Sequence, residues 1–177
     1  NVTGLDDDTV NHKISAEDIA IMSRALIAHD AILNYSSIWM DTIRNGAFGL
    51  TNTNRLVRFY KGCTGLKTGS TAKAGFCVSV TAERDGVSLI CVVMGAPNRD
   101  VRNNIASNLL DYGFSNYTTY TYNAGEFKNI KVAGGKAPTL NAKHEDFSMT
   151  VKKTDAKYFL FLLPSNILKT VDMFQNA

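Results

Sequence analysis

The sequence predicts an α+β fold, with helices packed on an antiparallel sheet and a small all-β module after them. Three observations carry this. Apolar residues recur at helical spacing over residues 15–28 and again over 98–112. Between these stretches, Phe76–Ala82 and Val87–Met94 alternate around the turn signal Arg84-Asp85-Gly86, which predicts a hairpin. Beyond Tyr117, short alternating runs replace the helical period. The expected organisation is therefore one α+β unit over residues 1–117 and a β-rich unit over 118–177.

A chain of 177 residues suits one domain with a partial second one, and 45% hydrophobic with 20% charged residues describes an ordinary globular protein. The net charge of +3 is mild, and Lys152-Lys153 is the lone basic pair, so nucleic acid is not an expected partner. No run of about 18 apolar residues exists to span a membrane. Cys63, Cys77 and Cys91 are odd in number and lack CxxC spacing, which argues against both a disulfide framework and a metal site. Cys77 and Cys91 fall in apolar strand patterns and read as small hydrophobes. Asn1-Val2-Thr3, Asn34-Tyr35-Ser36 and Asn116-Tyr117-Thr118 are formal glycosylation acceptors, without meaning in a bacterial chain.

Taken in order, Asp6-Asp7-Asp8 is a solvated loop, since a calcium loop needs alternating acidic ligands and a central glycine. Ser15-Ala16-Glu17-Asp18 forms a capping box. Behind it Ile19, Met22 and Leu26, flanked by Ala20 and Ile27, give helical spacing to about Ala28, and a short second helix covers Ala31 to Ser37. From Trp39 to Tyr60 the pattern loosens, with Gly46 and Gly49 as breakers. Asn52 and Asn54 are expected to make turns. In the hairpin, the return strand is apolar at nearly every position, as a central strand covered on both faces would be. A helix capped by Asn98 or Asp100 follows to about Tyr112. Val101, Ile105, Ala106, Leu109 and Leu110 form its buried stripe, and Gly113 stops it. The tail predicts strands at Phe127–Val132, Phe147–Val151 and Tyr158–Leu162, punctuated by Gly134-Gly135 and Asp155-Ala156.

The stretch with chemistry is Gly65-Leu66-Lys67-Thr68-Gly69-Ser70-Thr71, followed by Lys73-Ala74-Gly75. It resembles the low-molecular-weight D-alanyl-D-alanine carboxypeptidases, a serine-type branch of the penicillin-binding proteins whose signatures include Lys-Thr-Gly. Asn52-Thr53-Asn54-Arg55-Leu56 is similar to that family's NxNxLL stretch. Asn1-Val2-Thr3-Gly4-Leu5-Asp6 resembles its HGLD loop, with Thr in place of His. The order of strand, hairpin and packed helix also resembles the C-terminal half of the penicillin-binding/β-lactamase-like fold, incomplete here.

The resemblance implies acyl transfer through a serine ester on peptidoglycan stem peptides ending in D-Ala-D-Ala, with β-lactams as inhibitors and no cofactor. It implies that Lys67 supplies positive charge, that Thr68 offers its hydroxyl to the substrate carboxylate, and that Gly69 admits the peptide close to the strand. It further implies that the backbone amide of Ser70 is an oxyanion donor and that Thr71 binds substrate. Action outside the cytoplasmic membrane is implied too, with membrane association through a segment these residues do not contain. Which residue joins Thr68 at the carboxylate is open; Arg55 lies near in sequence.

Two of the family's three catalytic motifs are missing. Ser70-Thr71-Ala72-Lys73 is a formal S-x-x-K, but it follows a strand where the motif should open a helix, so it is a decoy. No S-x-N occurs: Ser107-Asn108, Ser115-Asn116 and Ser165-Asn166 have the wrong spacing. The expectation is a C-terminal part of the enzyme, truncated at both ends and inactive alone. Other motifs fail as well. Gly62 to Thr68 is not a P-loop, because that loop needs Gly directly before Lys. His12, His29 and His144 are scattered surface residues. Two rivals stand beside this reading. A β-lactamase or transpeptidase shares the motif, but a β-lactamase would end on a helix rather than a β-rich tail. A non-catalytic binding protein retaining half the fold would be stable and soluble alone.

Overall fold

The computed structural model describes Gly4 and residues 12–123, 125–132 and 136–156. The expectations for the Asn1–Asp6 loop, Asp6-Asp7-Asp8, Gly134-Gly135, Ser165-Asn166 and the strand at Tyr158–Leu162 lie outside the described residues. The chain divides into two compact units, 1–115 and 116–177.

In the first unit the elements run α1 (Ala16–Ile27), α2 (Asp30–Ser36), β1 (Met40–Ile43), β2 (Phe48–Thr51), α3 (Leu56–Phe59), β3 (Cys63–Thr71), β4 (Gly75–Arg84), β5 (Val87–Ala96) and α4 (Arg99–Asn116). Strands β3, β4 and β5 form an antiparallel sheet in that order. The β4–β5 turn is tight because Asp85 and Gly86 both take positive φ, at 51° and 74°.

Alternation along β4 sorts the sheet into two faces. Val78, Val80 and Ala82 join Cys91 and Val93 of β5 in a core closed by Leu56, Ala106 and Leu110. On the other face Ser79 meets α1, where its hydroxyl shares a 2.7 Å hydrogen bond with buried Ser23. The capping box of α1 is present: Ser15 Oγ accepts from Asp18 N, and Asp18 accepts from Ser15 N.

Several expectations change. The α1 face turned inward is Ile19, Ala20, Ser23 and Ile27, while Met22 and Leu26 are exposed. Residues 39–51 hold an unexpected hairpin. Arg44, Asn45 and Gly46 make its turn with φ of 56°, 55° and 86°, and Gly49 lies inside β2 opposite Thr42. Helix α4 runs through Gly113 rather than stopping there. Gly113 is buried, and a Cβ on it would come within 2.5 Å of Leu89, so this glycine buys close helix–sheet approach. The buried row of α4 is Arg102, Ala106, Leu110 and Gly113, whereas Ile105 and Leu109 are exposed. Finally, β5 is an edge strand: among the described residues nothing pairs with its far side.

The second unit contains β6 (Tyr117–Tyr122) paired with β9 (Phe147–Lys152), and β7 (Gly125–Lys131) paired with β8 (Thr139–His144). Strands β6 and β8 were not expected. β6 mixes Tyr and Thr on both faces and β8 is mostly polar, so neither shows an apolar alternation.

Candidate active site on the edge strand β3

β3 is the second edge of the sheet, so among the described residues one side of it is free of strand partners. Its register places Lys67 opposite Ser79, Thr68 opposite Val78 and Gly69 opposite Cys77. Gly65 fixes this strand against the end of α2. A Cβ there would lie 2.5 Å from Ser36 Oγ, which donates to Thr64 O at 2.7 Å.

A cleft of about 250 Å³ opens beside the strand, lined by Thr53, Lys67, Thr68, Gly69, Ser70, Phe76, Arg99 and Arg102. It brings together four of the five residues expected from the sequence. Thr71 lies outside it, with its hydroxyl accepting from Ala74 N at 3.0 Å in the β3–β4 turn. A second cleft of about 200 Å³ shares Lys67, Thr68 and Gly69 and extends along Ser79 and Val92 toward Ile19 of α1. Lys67 therefore borders two openings, and its ammonium donates to the Thr68 carbonyl.

Thr53, Arg99 and Arg102 line the cleft without having been expected from the sequence, and Arg102 is the most deeply buried of them. It is 3% exposed, yet among the described residues it has no carboxylate partner. Its guanidinium is held by neutral groups instead: Asn103 Oδ1 accepts from Nε (3.2 Å) and Nη2 (2.9 Å), and Cys77 O accepts from Nη1 (3.4 Å). Burial, and then the nearby charge of Arg99, pull its pKa below the usual arginine value. A signal existed: a charged residue stands in the same i, i+4 row as Ala106 and Leu110. Arg55, near in sequence, pairs instead with Asp100 at 3.9 Å and does not line the cleft.

The two asparagines make turns, as expected. Asn52 Nδ2 donates to Ser36 O (3.1 Å) and Ile38 O (2.9 Å), and its Oδ1 accepts from Asn54 N (2.9 Å). Asn54, 1% exposed, accepts from Leu56 N at 3.2 Å. Between them, Thr53 reaches Thr68, with the hydroxyls 2.6 Å apart.

The cleft thus gathers three cations, two threonine hydroxyls and an edge strand, which suits an extended ligand with an anionic end. The described residues hold no cluster of metal-ligating side chains. The three thiols are free; Cys91 is buried, and burial pushes its pKa up to about 11.

Comparison with known proteins fits this geometry. The family model for D-alanyl-D-alanine carboxypeptidase matches residues 1–98. D-alanyl-D-alanine carboxypeptidase DacF of Bacillus subtilis is 35% identical over 159 residues, covering 86% of this chain and 40% of that protein. Among solved structures, a peptidoglycan synthesis regulatory factor (PBP3) from Streptococcus pneumoniae is similar with a TM-score of 0.68 and 29% identity, over 86% of this chain and 49% of its own. Penicillin-binding protein D2 from Listeria monocytogenes, solved in its cefotaxime-bound form, matches with a TM-score of 0.59 and 36% identity, over 63% and 45%. The chain spans less than half the length of each of these relatives. With the family model covering more than half of its residues and the Lys-Thr-Gly strand bordering the cleft, the chain belongs to the D-alanyl-D-alanine carboxypeptidase family.

Proposed function

We propose that this chain forms the substrate-holding wall of a serine-type D-Ala-D-Ala carboxypeptidase. The enzyme removes the terminal D-alanine from peptidoglycan stem peptides, outside the cytoplasmic membrane. The observation that carries the reading is a buried guanidinium that has no carboxylate partner among the described residues and lines one cleft with Lys67 and Thr68. Burying such a charge is costly unless an anion completes it. The terminal carboxylate of the substrate is that anion, held by Arg102 and the Thr68 hydroxyl.

The peptide then lies along the open edge of β3 as an added strand, close to Gly69, where no side chain intervenes. Lys67 supplies positive charge toward the reacting centre, and the Ser70 backbone amide is one of two donors to the oxyanion of the tetrahedral intermediate. Thr71 supports the site by closing the turn after the strand. The nucleophilic serine and its lysine base, with the second serine of the S-x-N motif, come from residues outside these 177, since no S-x-N occurs here and the formal S-x-x-K at Ser70–Lys73 follows a strand instead of opening a helix. A β-lactam, an acylating mimic with its own carboxylate, occupies the same cleft. No helix among the described residues is long and apolar enough to cross a membrane.

The test compares cleavage of the D-Ala–D-Ala bond by the complete gene product in diacetyl-L-lysyl-D-alanyl-D-alanine and in its C-terminal amide, read as formation of the shared product diacetyl-L-lysyl-D-alanine. Loss of the charge should raise KM by about tenfold or more, the worth of a charge-assisted hydrogen bond. Equal turnover of acid and amide would contradict carboxylate recognition.

A further inference from the structure

Resting on that carboxylate reading, we infer that Thr53 is a positioning residue that sets the direction of the Thr68 hydroxyl toward the substrate. The two Oγ1 atoms are 2.6 Å apart, and either can donate. A threonine hydroxyl has one proton and two lone pairs, so the direction of this bond decides what Thr68 shows to the cleft. When Thr68 donates to Thr53, only lone pairs of Thr68 face the ligand, and these repel a carboxylate. When Thr53 donates, the Thr68 proton is released for the carboxylate, and each bond polarises the next in the chain from Thr53 through Thr68 to the anion. Anion binding therefore selects the arrangement in which Thr53 is the donor.

Among the described residues Thr53 is the one side-chain partner of the Thr68 hydroxyl. Its position is fixed before any ligand arrives. Asn52 ties the loop to Ser36 O and Ile38 O on one side, and Asn54 closes a turn onto Leu56 N on the other. The asparagines that flank Thr53 thus act as the frame of a hydroxyl relay, which turns two turn-forming residues into support for recognition.

The experiment measures kcat and KM of the complete gene product on diacetyl-L-lysyl-D-alanyl-D-alanine. Variants are Thr53→Val, Thr53→Ser, Thr68→Val, Arg102→Leu and the double variant Thr53→Val/Thr68→Val, with melting temperatures as a folding check. Thr53→Val should raise KM about fivefold with kcat nearly unchanged, the worth of one directed hydrogen bond. Thr53→Ser, which keeps the hydroxyl, should restore it. In the Thr68→Val background the Thr53 change should add nothing, since its effect passes through Thr68. If Thr68→Val and Arg102→Leu raise KM while Thr53→Val does not, the relay is wrong and the carboxylate reading stands. Additive effects of the two threonine changes would also overturn the relay. If none of Thr53→Val, Thr68→Val and Arg102→Leu changes KM, both the relay and the reading beneath it fall. Should Thr53→Val not fold, Thr53→Ala carries the same comparison.

Discussion

Arg102 sits at the start of α4 with 3% of its surface exposed and only neutral acceptors on its guanidinium. Three hydrogen bonds from two acceptors satisfy part of a group with five donors. That imbalance costs folding free energy, and the account assigns the compensation to ligand binding rather than to the fold. Arg102→Leu should therefore keep or raise the melting temperature while lowering kcat/KM about 10- to 100-fold, the range for a lost charged hydrogen bond. Calorimetry beside steady-state kinetics separates the two. A large drop in melting temperature with kinetics intact would make Arg102 a structural residue. That Lys67, Thr68, Gly69 and Ser70 share one cleft could be read from the sequence, because they stand in a row in a stretch that resembles a known motif. Arg102 and Thr53 were not legible in it, since each joins the cleft from a different element, and only packing places them there.

On the scale of elements, Arg84 fastens α4 and the end of α3 to the hairpin. Its guanidinium lies 4.4 Å from the Tyr60 ring and 4.5 Å from the Phe114 ring, donates to Lys61 O at 2.9 Å, and reaches Asp111 at 3.6 Å. The Tyr60 hydroxyl donates to Asp111 at 2.7 Å. Burial first, and Asp111 next, push the Tyr60 pKa above the usual phenol range, with the charge of Arg84 opposing. The unfolded chain then releases this proton first. The neutral phenol contributes its full stability below about pH 10 and loses it as pH rises beyond that value. Urea midpoints should fall more steeply between about pH 9 and pH 11.5 in the wild type than in Tyr60→Phe. Equal slopes would contradict the assignment. None of this cluster was legible, because its members come from three places far apart in sequence, Tyr60 and Lys61 after α3, Arg84 in β4, and Asp111 and Phe114 in α4, and the helical period of α4 admits two candidate rows. The row containing Ile105 and Leu109 is the more apolar, yet the sheet selects the one whose small residues, Ala106 and Gly113, permit close approach.

For the whole molecule, the two ends of the account meet at the sheet. β5 carries ten residues without a charge, and its far edge is unpaired among the described residues. Read by composition alone, it was expected at the centre of a sheet. The composition describes what the strand is suited to, and the pairing describes what these residues supply. The hairpin of β4 and β5 was legible because its alternation and turn residues agree, as was α1 through its capping box. The β1–β2 hairpin was missed, for its four-residue strands are too short to show a period. The central claim is that this chain supplies recognition and electrostatics while the nucleophile lies elsewhere. Intact mass after incubation with a penicillin tests it most directly, on the 177-residue chain and on the complete gene product side by side. The account predicts one covalent adduct on the complete product, at a serine outside these residues, and none on the chain. A stoichiometric adduct on the chain, at Ser70 above all, would contradict it.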